Sequence, residues 1–300
     1  VDTLDTHWLT VEQQNTLRQS IWCRGVGLHS GTFTEVSLEP APVDHGIVFR
    51  IMDNTTVLAE IPAHAQFAKT GFLRTVLQKQ QHCIDTIEHL MAALHAYSIT
   101  NCLIKVWGKE IPIFDGSASS WTFLIFSAGI EKQSSPARYI QVLKPLRVGN
   151  SDAYCSIEPY KDFRLSYDLN YSHPMIGQQN VDFFLDKRTF DRELANCRTF
   201  GFFKDLDLIQ IHGLAKGVSL LNTVVFDETS LMADSILRWA TEPARHKLVD
   251  AIGDLYLAGF PIIGWFKGFR SGHELNQQLI SKLLCDSAAW CYTTMVSRYP

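Results

Sequence analysis

Apolar and polar positions alternate in several short stretches of the chain. Phe33-Thr-Glu-Val-Ser-Leu-Glu39 places apolar side chains on one face in the manner of a strand, and Asn101-Cys-Leu-Ile-Lys-Val-Trp107 reads as another. Between them the period lengthens. Over Thr86–Ala96 the residues Ile87, Leu90, Met91 and Leu94 recur at helical spacing, so one apolar stripe packs inward. The second half repeats this rhythm. Ile140–Val148 and Phe163–Leu169 read as strands, and Glu242–Leu257 reads as a helix with Leu248, Val249, Ile252 and Leu255 on its buried side. Gly259-Phe-Pro261 ends that helix, and Ile262–Phe266 returns as a strand. No sequence repeat is visible. The rhythm predicts an α+β fold of two similar layers, with a cleft between them as the natural place for a ligand.

The clearest break is the polar, proline-bearing stretch Glu131-Lys-Gln-Ser-Ser-Pro-Ala-Arg138. It divides the chain into an N-terminal domain over 1–135 and a C-terminal domain over 139–300. Composition supports folded domains: 46% of the 300 residues are hydrophobic and 19% charged. A net charge of -4 with no basic run gives no footprint for nucleic acid, so no nucleic-acid partner is expected. Seven scattered cysteines, none in a Cys-x-x-Cys pair, predict neither a disulfide framework nor a cysteine-bound structural metal, and point to a reducing cytoplasm. Val1–Thr10 is polar and mildly acidic, unlike a secretory leader, and no apolar stretch approaches the ~20 residues of a transmembrane helix. A soluble cytoplasmic protein is the expectation.

Three segments carry candidate chemistry. In Arg245-His-Lys-Leu-Val-Asp250, His246 and Asp250 lie four apart on a helix, and so offer an imidazole nitrogen and a carboxylate oxygen from one face. Asp254 extends that face by one turn. The same spacing also describes a surface His–Asp pair on an amphipathic helix. In Asp85-Thr-Ile-Glu-His89, His89 is a candidate third ligand and Glu88 a candidate base. Here Asp85 and Glu88 also match a capping box, in which case His89 is a core histidine. In Arg270-Ser-Gly-His-Glu-Leu-Asn276, His273 follows a glycine at a strand-to-helix turn, where it is either a general acid or structural. His29, in Gly25-Val-Gly-Leu-His-Ser-Gly31, has the same ambiguity. That segment lacks the glycine and lysine spacings of nucleotide-binding loops.

Five blocks taken in order narrow these alternatives: Gly25–Gly31, Thr86-Ile-Glu-His-Leu90, Glu110-Ile-Pro-Ile-Phe-Asp-Gly-Ser117, Arg198-Thr-Phe-Gly-Phe202 and Arg245–Leu255, followed by Ser271–Asn276. Together they resemble the UDP-3-O-acyl-N-acetylglucosamine deacetylase family of lipid A biosynthesis, from about Asn15 to about Tyr292. The resemblance implies a zinc ion held by His89, His246 and Asp250, with Glu88 as general base. It implies oxyanion contact by Thr199, proton donation or charge stabilisation by His273, and orientation of His273 by Asp254. Lys247, Phe200 and Leu73 match substrate-contact positions. The implied substrate is an acylated UDP-N-acetylglucosamine, and the implied products are acetate and the free amine. The implied architecture is two sheet-plus-helix domains packed as a sandwich, with a small insert in each.

The second insert, near 195–226, is expected to form an apolar passage for the fatty acyl chain. Leu206, Leu208, Ile209, Ile211, Leu214, Leu220 and Leu221 are candidates to line it or to fill ordinary core. A monomer is expected. Three positions depart from the family pattern: Arg74 where a small residue is usual, Val218 in place of glycine, and Cys197 in place of alanine. Arg74 is expected to narrow the mouth or touch substrate, and Val218 to stiffen the insert. A catalytically silent relative would be expected to lose some of Glu88, His89, His246, Asp250 and His273, and all five are present. A zinc peptidase is the other enzyme reading; the missing His-Glu-x-x-His motif speaks against it only for one peptidase type.

Overall fold

A computed structural model describes residues 11–232 and 236–295; the reading of Val1–Thr10 lies outside the described residues. Six α-helices are referred to below: α1 (Glu88–Ala96), α2 (Ser119–Ala128), the single turn α3 (Lys187–Thr189), α4 (Leu206–Ile211), α5 (Glu242–Leu255) and α6 (His273–Cys285).

The first half builds a five-stranded sheet in the order Ile21–Val26, Phe33–Pro40, Cys102–Trp107, Ile47–Asp53, Thr56–Pro62. Ile47–Asp53 runs parallel to Cys102–Trp107, a pairing that needs a long crossover. That crossover carries α1 and a small three-stranded sheet, Ala68–Gly71, Arg74–Lys79 and His82–Asp85, which forms the first insert. The second half builds a seven-stranded sheet around Ile262–Phe269, which pairs in parallel with Phe163–Asn170 and antiparallel with Tyr154–Glu158. Its crossover carries α5 and a second insert, in which Phe200–Phe202 pairs with Val224–Phe226 around α4. The expected α+β arrangement, with an insert in each half, is therefore present.

Helices α1 and α5 form the centre of the packing. Every residue of α1 is buried, as is every residue of α5 except Arg245 and Lys247. A helix buried all round must meet protein on every side, and α1 and α5 do so partly against each other. Gly253 makes their approach possible, since a Cβ there would stand 2.0 Å from the Glu88 carbonyl oxygen. Gly253→Ala is expected to push the helices apart and cost about 1–3 kcal/mol of stability, measured by chemical denaturation. Unchanged stability would show that the contact is not tight.

Some local expectations shift. The stretch read as a break is largely a strand: Ile130–Pro136 pairs antiparallel with Gln13–Leu17. Ile140–Val148 divides into Tyr139–Val142 and Leu146–Gly149, because Pro145 cannot donate to a ladder and the two pieces pair with different strands. Helix α5 stops at Leu255, and the 3-10 turn Tyr256–Ala258 leads to Gly259 in the left-handed conformation. Helix α1 starts at Glu88 rather than Thr86, whose φ of 59° no helix accepts.

Candidate active site

The contact of α1 with α5 brings together residues from two distant stretches. His89 Nε2 stands 3.6 Å from Asp250 Oδ1, and His246 Nε2 stands 3.4 Å from the same oxygen. One ligand atom from each of the three residues can be chosen so that all lie within 4.8 Å of one another, and all three residues are buried. A tetrahedral ion with bonds of ~2.0–2.1 Å holds its ligands roughly 3.3 Å apart, so these spacings suit one small divalent cation. His246 Nδ1–H donates to the Cys197 carbonyl at 2.9 Å, which leaves its Nε2 lone pair facing the cluster. Burial pushes the His246 imidazole down to about 4, against the pull of Asp250, so it stays neutral and able to coordinate. Burial alone would raise the Asp250 carboxyl, but the Lys247 ammonium at 2.8 Å outweighs it and holds Asp250 well below the usual carboxylate range.

Glu88 is not part of a capping box. Its Oε2 accepts from the Thr75 backbone N–H at 3.2 Å, while Asp85 is taken by Arg74 at 2.9 Å. Burial pushes the Glu88 carboxyl up to about 7, although His273 and His89 pull the other way. Across from it, His273 Nε2 lies 3.8 Å from Glu88 Oε1. Burial would lower the His273 imidazole, but Asp254, whose Oδ2 accepts from His273 Nδ1–H at 2.8 Å, wins and raises it to about 9. A carboxyl raised to about 7 and an imidazole raised to about 9 thus face each other. Asp254 also accepts from Thr75 Oγ1 at 2.5 Å and from Asn276 Nδ2 at 2.9 Å. The sequence reading assigned no role to Thr75 or Asn276, although Asn276 ends one of the quoted blocks.

A cavity of about 760 Å³ opens over these groups. Glu88, His89, Asp250, Lys247 and His273 line its floor, and Thr199, Phe200 and Leu73 its walls; His246 and Asp254 stand behind them. The Lys247 ammonium is already bonded to Asp250, which leaves two of its three protons for a ligand. Thr199 is fixed by its backbone, since its N–H donates to Gly116 O at 2.8 Å and its carbonyl accepts from Val224 N–H at 2.9 Å. His29 also faces the cavity. It is buried, neither ring nitrogen has a partner among the described residues, and burial pushes it down to about 4. Its loop is pinned by Glu110, which accepts from the His29 and Ser30 backbone N–H groups at 2.9 and 2.7 Å.

Two readings of the inserts are corrected. The Arg74 guanidinium does not enter the cavity, because it is tied to Asp85 and to the Phe72 carbonyl. Val218 does line the cavity. Of the seven apolar candidates in the second insert, Leu206 and Ile209, one turn apart on α4, face inward, whereas Leu208, Ile211, Leu220 and Leu221 are exposed. Leu214 is neither on the cavity wall nor in the buried core. A single short helix laid across a mouth can turn only one side to it.

Three side chains that could hold a cation, a buried carboxyl and an imidazole converge in one apolar-walled cavity, the arrangement of a hydrolase. The chain belongs to the LpxC family, described as UDP-3-O-acyl N-acetylglycosamine deacetylase, whose model matches residues 14–285. It is similar to the proteins named UDP-3-O-acyl-N-acetylglucosamine deacetylase of Xanthomonas oryzae pv. oryzae (strain PXO99A) and Stenotrophomonas maltophilia (strain K279a). With each it is 42% identical over 282 residues, which is 93% of this chain and 92% of the relative. The protein of that name from Pseudomonas entomophila (strain L48) is 41% identical over the same shares.

Proposed function

We propose that this chain is a zinc-dependent amidase that hydrolyses the 2-acetamido group of UDP-3-O-(3-hydroxyacyl)-N-acetylglucosamine, an early committed step of lipid A biosynthesis. The observation that carries the reading is the meeting of Glu88, His273 and the His89, His246 and Asp250 set at one cavity floor. His89, His246 and Asp250 would hold the ion, whose donor set of two imidazoles and one carboxylate suits zinc. When bound there, zinc supplies Lewis acidity that polarises the amide carbonyl and acidifies water.

The residues of the chain do the rest. Glu88 takes the proton of the attacking water. Thr199 offers its hydroxyl to the charge that develops on the carbonyl oxygen. His273, held protonated by Asp254, gives a proton to the departing amine or stabilises charge near it. Lys247 and Phe200 contact the sugar nucleotide, and Leu73 closes over the substrate from the first insert. Leu206, Ile209 and Val218 border the path of the acyl chain. Water and amide are consumed, and acetate and free amine leave.

All seven cysteines stand unpaired, which supports a reducing cytoplasmic setting, and no helix among the described residues is long and apolar enough to cross a membrane. The chain is proposed to act as a monomer, which size-exclusion chromatography tests. The function is tested by acetate release from the acylated UDP-sugar, with and without a chelator. Activity that survives complete metal removal would overturn it.

The ionisations give a further expected result. The rate of kcat/KM should rise with pH as Glu88 loses its proton and fall as His273 loses its own near pH 9. A cation in the adjacent triad favours the Glu88 carboxylate and disfavours the His273 imidazolium, so the rising limb should lie at or below about pH 7 and the falling limb at or below about pH 9. A profile that is flat between pH 5 and pH 10 would remove both assignments.

A further inference from the structure

Thr75 belongs to the strand Arg74–Lys79 of the first insert, is fully buried, and touches both halves of the proposed acid–base machinery. Its backbone N–H donates to Glu88 Oε2 at 3.2 Å. Its carbonyl accepts from Thr86 N–H at 2.9 Å, which fixes the approach to α1. Its hydroxyl donates to Asp254 Oδ1 at 2.5 Å and also stands 3.1 Å from His273 Nδ1. The hydroxyl has one proton, and it is given to Asp254 Oδ1. The other oxygen of Asp254 then takes the His273 Nδ1–H, with the Asn276 amide alongside.

We propose that Thr75 is a positioning residue for the reaction: its hydroxyl sets the plane of the Asp254 carboxylate, and through it the orientation of His273, while its backbone holds Glu88 opposite. The first insert therefore supplies part of the support beneath the reacting groups as well as a wall of the cavity. A carboxylate with three donors on two oxygens has one orientation; with Thr75 Oγ1 removed it can rotate about its Cβ–Cγ bond, and the imidazole bonded to it follows. Thr75 contacts none of His89, His246 or Asp250 in this network, so its removal should leave cation binding alone.

This inference rests on the deacetylase reading, and the experiment keeps the two apart. The wild-type protein, with and without chelator, reports on the reading. Thr75→Val, which keeps the branched shape and the backbone N–H but loses the hydroxyl, is compared with Thr75→Ser, which keeps the hydroxyl. Expected for Thr75→Val is a kcat about 10- to 100-fold lower with KM within about twofold and zinc content unchanged, the scale on which such supporting groups act. Thr75→Ser should recover most of the lost kcat. The His273 Nδ1–H proton resonance should shift in Thr75→Val and return in Thr75→Ser, in protein with or without zinc, whatever the substrate proves to be. The proposal is overturned if Thr75→Val keeps wild-type kcat, if both variants lose activity equally, or if the His273 resonance does not move. It is also overturned if the loss follows zinc content or thermal stability.

Discussion

Glu88→Gln is expected to lower kcat by about 100- to 10,000-fold while zinc stays bound, because the substitution removes the base and none of the ligands. Glutamine keeps the shape and an oxygen that can still accept from the Thr75 N–H. The protein should not be weakened. Burial raises the Glu88 carboxyl to about 7, so its folded form favours the protonated state. A group raised in this way contributes stability below its unfolded value of 4.5, and that contribution is lost as pH climbs through about 7. Above pH 7 the metal-free wild type therefore carries a buried charge that the glutamine variant lacks. Metal-free Glu88→Gln should unfold at the same temperature as wild type or higher when both are compared at pH 8. Turnover and zinc content measured on one preparation decide the matter, and near-normal turnover with zinc in place would remove Glu88 as the base.

The features legible in the sequence are those set by local periodicity. The pairing of His246 with Asp250 follows from one helical turn, and α5 supplies that turn. The strands Phe33–Pro40 and Phe163–Asn170 appear where alternation places them. Local pattern could not decide whether Glu88 capped a helix or faced a cavity. That depends on Thr86 in a left-handed conformation and on Arg74 engaging Asp85, which a spacing of three residues does not encode. Spacing and donor chemistry offered His89 as a candidate third ligand beside His246 and Asp250, and the ordered blocks of the family resemblance narrowed the alternatives to that set. Thr75 was missed for a related reason: its hydroxyl reaches residues 179 and 198 positions away, and no periodicity carries such a contact. Of the insert candidates, Leu208, Ile211, Leu220 and Leu221 are exposed: hydrophobicity marks an apolar element without saying which side faces the ligand.

Asp250→Ala is expected to have the opposite character to Glu88→Gln, since it should lose the metal itself. Asp250 faces both imidazoles and also accepts from Lys247 Nζ at 2.8 Å. Alanine removes one of three cation donors and strands the Lys247 ammonium without its carboxylate. Breaking a buried pair from one side typically costs about 3–5 kcal/mol, at the low end here because Lys247 borders an open cavity. The pH dependence carries a signature. Because the folded Asp250 carboxyl lies well below 3.8, its contribution to stability is present above that value and lost as pH falls through the folded one. Metal-free wild type should therefore weaken with acid more steeply than Asp250→Ala, and the two unfolding curves should converge at low pH. Asp250→Asn, which keeps the shape and a hydrogen-bonding oxygen, should recover part of the stability but little of the metal affinity, since the anion is gone. Metal content after dialysis against a mild chelator separates the cases. Full retention of zinc by Asp250→Ala would mean that the cation is held elsewhere, and the helix-to-helix meeting of His89, His246 and Asp250 would then need another purpose.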